Sequence, residues 1–151
     1  MGDFGPRPGL FEVIHIDHVG PLPLTSQGNK AILTIVDRNS GLLEAVPVPD
    51  MTARTAVKSL WKFWISRYGV PLAMISDNGP AWESDLIKKE IARRWGTKMI
   101  HTSRYHPAAN GAVERHHRTL KNNLLLYATK TSRWDQALDA FIFSVRNTPQ
   151  D

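Results

Sequence analysis

Three strand-length apolar runs within residues 13–48 constrain this chain more than any other feature. Residues 13–19 set His15 and Asp17 between Val13, Ile14, Ile16 and Val19. Residues 31–36 are almost continuously apolar, and residues 42–48 are rich in aliphatic side chains. Turn-forming Gln27-Gly28-Asn29 and Arg38-Asn39-Ser40-Gly41 separate them. Runs of this length joined by Gly and Asn turns read as three hairpin-connected strands.

The pattern then changes period. Ala53, Ala56, Val57, Leu60, Trp64 and Tyr68 recur at helical spacing, with Thr52 placed to cap the helix and Gly69 to stop it. A buried strand is expected over 70–76. A second helix is expected over 84–95, where Ile87, Ile91 and Trp95 are four apart and Gly96 follows. A short fifth strand over 97–101 precedes a long helix over 108–128. Ser132 and Asp135 form a capping box for a last helix ending at Arg146, whose buried stripe is Trp134, Ala137, Leu138, Phe141, Ile142 and Val145. Three hairpin strands followed by strand and helix alternation imply an α/β fold, a mixed sheet flanked by helices.

A chain of 151 residues can bury one domain-sized core without staples, and it has no cysteine. That removes a disulfide framework, a thiolate zinc site and a cysteine nucleophile. Residues 1–10, rich in Gly and Pro, read as a flexible arm and 11–151 as a single domain. No apolar run approaches membrane-span length, and no signal-peptide pattern opens the chain, so a soluble, intracellular protein is expected. Pro6 stands where a myristoylation signal needs Ser or Thr. Nineteen Lys and Arg against fourteen Asp and Glu give a net charge of +5, which favours a polyanionic partner. The stretch from Lys88 to Lys121 is strongly basic, with Glu90 and Glu114 its only acids.

Asp17 in the first strand, Asp77 just past the 70–76 strand and Glu114 on the long helix are three carboxylates on separate segments that can meet at one point. Open α/β sheets bind ligands beyond the carboxyl ends of their strands, where Asp77 falls. Glu114, His117, Arg118 and Lys121 share a helix face, setting an acid beside a basic ridge that can track a phosphate backbone. The plainer readings are an exposed strand carboxylate for Asp17, a turn former for Asp77 and an ion pair with Arg118 for Glu114. Asp37, Asp50, Glu83, Asp85 and Asp135 have structural readings as turn or helix-start acids. His101, His106, His116 and His117 lack the paired spacing of a zinc site. Clustered carboxylates without thiols suit a hard, oxygen-seeking divalent cation.

His15-Ile16-Asp17-His18-Val19-Gly20-Pro21-Leu22, Ser76-Asp77-Asn78-Gly79-Pro80, Tyr105-His106-Pro107 and Asn110-Gly111-Ala112-Val113-Glu114-Arg115 stand in order along the chain. With these motifs the chain, from about Phe11 to Asn147, resembles the catalytic core of retroviral and gypsy-type long-terminal-repeat retrotransposon integrases. The resemblance implies a ribonuclease H-like fold, with a five-stranded mixed sheet and helices on both faces. It also implies an acidic triad of Asp17, Asp77 and Glu114 that binds two Mg²⁺ ions, replaceable by Mn²⁺, when DNA is present. Asp17 bridges the two, Asp77 completes one site and Glu114 the other. Between Asp77 and Glu114 lie 36 residues (114 − 77 − 1), one more than the family's common thirty-five, a length variant the loop between Lys98 and His106 can absorb.

The same resemblance implies two-step DNA integration, in which water cleaves near the element's 3′ end and the freed 3′-hydroxyl attacks target DNA. Contacts to element DNA map onto Asn110, Arg118 and Lys121, with Tyr105 a further loop residue, and Pro80 matches a position near target DNA. Partners implied are element-end and target DNA and a second copy of the chain, pairing through the helices over 53–68 and 132–146. A nuclear location, or a cytoplasmic nucleoprotein complex before integration, follows. The chain corresponds to the middle third of complete integrases, so it reads as an excised core. A bacterial transposase of the same fold, whose Glu motif usually lacks Asn-Gly-x-Val-Glu-Arg, and a non-catalytic DNA- or protein-binding relic are the rival readings.

Overall fold

The computed structural model describes residues 9–102, 111–130 and 132–146, with backbone alone for 111–117, 120 and 146. Five strands form one sheet in the order β3-β2-β1-β4-β5: β1 Val13–Val19, β2 Ala31–Asp37, β3 Leu43–Val48, β4 Ala73–Ser76 and β5 Lys98–His101. The first three are antiparallel neighbours, and β4 and β5 add in parallel on the other side of β1. This is the mixed, five-stranded sheet expected. Its parallel half follows from the helical crossovers, since parallel neighbours need a long connection while antiparallel ones need only a turn.

Alternation along β1 assigns the two faces. Ile14 and Ile16 join Leu33, Ile35, Val46, Leu60, Trp64, Ile87 and Ile91 in the larger core. That face is covered by α1 (Ala53–Leu60), by the π-helical turn Trp61–Ile65 and α2 (Ser66–Tyr68) that prolong it, and by α3 (Asp85–Ile87) with its π-helical continuation Lys88–Arg94. Val19, Ile32, Val36 and Leu43 on the opposite face pack under α4 (Gly111–Ala128) and α5 (Trp134–Arg146) through Leu124, Ala128, Trp134, Leu138 and Ile142. The sheet is therefore buried on both sides, which is why β2 is buried along its whole length.

The expected helix over 53–68 starts at Thr52, whose side chain accepts from the Thr55 amide, and stops at Gly69 with φ +88°. Its interior departs from the simple helical wheel. The wider π-helical turn rotates Ile65 into the core, although by the 3.6-residue period it shares the outer side with Trp61; Trp61 itself stays 54% exposed. The strand expected over 70–76 is shorter, because Val70 and Leu72 are exposed and Pro71 lacks an amide donor; pairing starts at Ala73. Asp135 lies in the first turn of α5. One of its oxygens accepts from Thr25 Oγ1 at 2.5 Å and Asn29 Nδ2 at 2.9 Å, clasping α5 to the β1–β2 loop. Its carboxyl is held below the usual carboxylate range: burial raises it, and the bonds from Thr25, Asn29 and the Gln136 and Asp135 amides together outweigh that.

Candidate active site

β1 and β4 run parallel with His15 opposite Ile75. Asp17 lies two residues past that pair inside β1, and Asp77 follows the last residue of β4, Ser76, so the same offset of 60 carried past the end of β4 would set the two level. Asp77 thus stands just past the carboxyl end of β4, where open α/β sheets bind ligands, and Asp17 lies within the neighbouring strand β1. Asp17, Asp77, Lys121 and Asp50 all act electrostatically on His18, which adjoins Asp17 in β1. The pairing of β1 with β4 joins the segments of two acids 60 apart in sequence (77 − 17).

Each carboxylate is held by backbone. One oxygen of Asp17 accepts the amide of His18 at 2.7 Å, and one oxygen of Asp77 accepts the amide of Gly79 at 2.8 Å. The second bond closes the tight turn written in Asp77-Asn78-Gly79, and it needs glycine's bareness: a Cβ at position 79 would sit 2.9 Å from that Asp77 oxygen. The remaining Asp17 oxygen accepts from Lys121 Nζ at 2.5 Å, a partly buried ion pair that ties α4 to β1 across the site. Thr34 Oγ1 bonds the Asp17 carbonyl at 3.2 Å and steadies the strand below it.

Glu114 lies on α4 two turns before Lys121 and on the same helical face, about 10 Å along the axis. Its side chain lies outside the described residues, as do Tyr105 and Asn110. The structure thus pairs Lys121 with Asp17, sets Asp77 just past the neighbouring strand β4 and Arg118 exposed on the same helix as Lys121, and adds the Glu114 backbone position. Among the described residues no group of three His, Cys, Asp or Glu is gathered as a metal site. The described donors are two carboxylates, a set whose hard oxygens fit Mg²⁺ or Mn²⁺ and not a thiophilic metal. The Lys121 ammonium seated on Asp17 shows that this oxygen accepts a cation.

Sequence reasoning missed three supports. His18 turns to the opposite face and stacks on the buried indole of Trp82, ring centroids 4.8 Å apart and planes 13° from parallel. Burial pushes its imidazole below the ordinary value of 6.5 despite the neighbouring acids, so it is neutral at pH 7. His101 Nδ1 lies 3.2 Å from both Ser76 Oγ and the Asp77 carbonyl, bracing the strand end that carries Asp77. The Lys121–Asp17 pair joins residues 104 apart. Only the Asx turn at Asp77 had a local signal.

The chain matches the family model "Integrase core domain" over residues 8–107. It is 33% identical over 147 residues to the Gag-Pol polyprotein of Woolly monkey sarcoma virus, spanning 96% of this chain and 8% of that protein. It is 29% identical over 139 residues to the retrovirus-related Pol polyprotein from transposon 412 of Drosophila melanogaster, spanning 91% of this chain and 11% of that protein. The chain therefore spans a small fraction of the length of these relatives. Among solved structures it superposes on the crystal structure of the catalytic core domain of BIV integrase with a TM-score of 0.67 and 28% identity, covering 93% of this chain and 87% of that one. A chain of the simian T-cell lymphotropic virus intasome, in complex with PP2A regulatory subunit B56 gamma, superposes with a TM-score of 0.66 and 25% identity over 95% of this chain and 51% of that one.

Proposed function

We propose, from the premise that the chain belongs to the integrase core domain family, as its match over residues 8–107 shows, that it is the polynucleotidyl transferase core of a long-terminal-repeat element. In this reading it cleaves near the 3′ ends of element DNA and joins them to target DNA. The observation that supports the reading is the parallel pairing of β1, which carries Asp17, with β4, which Asp77 follows, beside a basic helix whose Lys121 bonds Asp17.

Asp17, Asp77 and Glu114 are the residues that would hold divalent Mg²⁺ or Mn²⁺. Such ions, when bound, polarise phosphoryl oxygens and stabilise the attacking and leaving oxygens of an in-line displacement. The protein's own contribution is placement. The Gly79 and His18 amides orient the two Asp carboxylates, and Arg118 and Lys121 on α4 meet the phosphate backbone, with Asn110 and Tyr105 as further DNA contacts. In both steps an oxygen nucleophile, first water and then the freed 3′-hydroxyl, forms a new P–O bond as the bond to a 3′-oxygen breaks. The nucleophile's proton passes to solvent and the departing 3′-oxygen takes one up. Element-end and target DNA are thus the partners, and the nucleus or a cytoplasmic nucleoprotein complex the setting. No helix among the described residues is long and apolar enough to cross a membrane.

The test is Mn²⁺-dependent resolution of a branched DNA that already presents a 3′-hydroxyl beside the phosphodiester, a reaction that asks only for local contacts. Glu114→Gln abolishes it, and Lys121→Ala weakens it with a shallower salt dependence. Parental activity in Glu114→Gln removes Glu114 from the site. An inactive parent that is folded and metal-bound favours the DNA-binding relic instead.

A further inference from the structure

We propose that Lys121 is the resident counter-cation of this site: without metal its ammonium occupies the oxygen of Asp17 that a divalent ion needs, and the site loads only by exchanging one for the other. The inference rests on the carboxylate site proposed above and concerns how that site is regulated.

Three observations carry it. The two Asp side chains are treated differently. Each gives one oxygen to a backbone amide, but the second oxygen of Asp17 is taken by Lys121, whereas the second oxygen of Asp77 has no bond among the described residues. The Lys121 bond is also tighter than the Arg94–Glu90 and Arg67–Glu44 ion pairs, 2.5 Å against 3.2 and 3.3 Å. Finally, its two side chains are only 31% and 20% exposed, so solvent screens it less than a loose surface pair.

A carboxylate oxygen pointed at an ammonium cannot at the same time bind a divalent ion at full strength, so Lys121 and the ion compete for Asp17. The folded protein gains from this. Two adjacent carboxylates repel, and the tethered ammonium offsets part of that repulsion before any ion arrives. Because α4 supplies it, the freed ammonium stays at the site, where a DNA phosphate gives it a new partner. Anything that draws Lys121 off Asp17 therefore strengthens ion binding there, and by linkage the reverse holds too.

The experiment is Mn²⁺ titration without DNA, read by calorimetry and by the electron paramagnetic resonance of free Mn²⁺, on the parent, Lys121→Gln and Lys130→Gln. Lys121→Met, which keeps the aliphatic stem, is the second variant should the glutamine fold poorly. Lys121→Gln should bind Mn²⁺ roughly five- to tenfold more tightly than the parent, the scale of one partly buried ion pair. It should also melt at a lower temperature without metal. Lys130→Gln, which removes the same charge at an exposed position just past the end of α4, should change affinity less than about twofold. Equal or weaker Mn²⁺ binding by both Lys121 variants overturns the exchange while leaving the carboxylate site intact. Equal tightening by Lys130→Gln reduces the effect to net charge and overturns it as well. Absence of Mn²⁺ binding in every protein overturns the carboxylate site itself, and the exchange with it.

Discussion

Gly79→Ala probes the Asp77 carboxylate without touching an acid. The added Cβ would lie 2.9 Å from the Asp77 oxygen and 3.5 Å from Trp82 Cδ1, and Trp82 is buried and cannot retreat. The carboxylate must give way by roughly 0.5 Å to regain ordinary contact, stretching its 2.8 Å bond to the residue 79 amide. Losing much of a hydrogen bond to a charged group costs about 1.5–3 kcal/mol, and replacing Gly by Ala returns about 0.4–1 kcal/mol through the unfolded state. The net cost to the apo protein is then about 1–2 kcal/mol, or roughly 2–8 °C in melting temperature. Mn²⁺ affinity should fall about tenfold or more, since misplacement on the ångström scale is costly at a site of fixed geometry. Gly28→Ala is the control: φ is +84° there with nothing within 4 Å of the new Cβ, so it should destabilise by about 1 kcal/mol and leave Mn²⁺ binding unchanged. Denaturant melts with and without Mn²⁺ measure both effects. If Gly79→Ala binds Mn²⁺ as tightly as the parent, the turn does not set the carboxylate and the argument fails.

Asp135→Ala should cost about 2–3 kcal/mol in a denaturant melt by stranding the Thr25 hydroxyl and releasing Asn29; a cost below 0.5 kcal/mol on the order of a surface change would refute the clasp. The His18 shift is downward, so the unfolded chain takes a proton near pH 6.5 while the folded chain resists until lower pH. Stability measured in chelator should therefore decline as pH falls from about 6.5 toward the folded value, and His18→Phe should flatten that decline; an unaltered slope in His18→Phe assigns it elsewhere. Trp61, exposed on the π-helical turn, is the residue through which pairing of copies by the 53–68 and 132–146 helices is proposed, so Trp61→Glu should shift sedimentation toward monomer. A parent that is monomeric at high concentration leaves Trp61 as a cover for the domain edge beside Trp95, whose ring centroid lies 6.0 Å away.

Local periodicity made much of this molecule legible. Alternation in residues 13–19 fixed which face of the first strand takes Ile14 and Ile16 and which takes Asp17, and Thr52 and Gly69 marked the ends of the first helix because their cap chemistry is local. The three acidic positions were readable as residues of the right chemistry near strand ends or on a helix, and the order of their motifs named the family that the comparison then showed. Strand pairing is different, because it depends on which crossover returns to which edge; only the β1–β4 pairing puts the strand that carries Asp17 beside the one that Asp77 follows. The π-helical turn that buries Ile65 answers to the packing around it and breaks the period from which faces are read. Lys121 on Asp17 and Asp135 on Thr25 and Asn29 join residues more than a hundred positions apart. A charged side chain chooses among all the partners that tertiary packing brings within about 3 Å, and no pattern along the chain lists them.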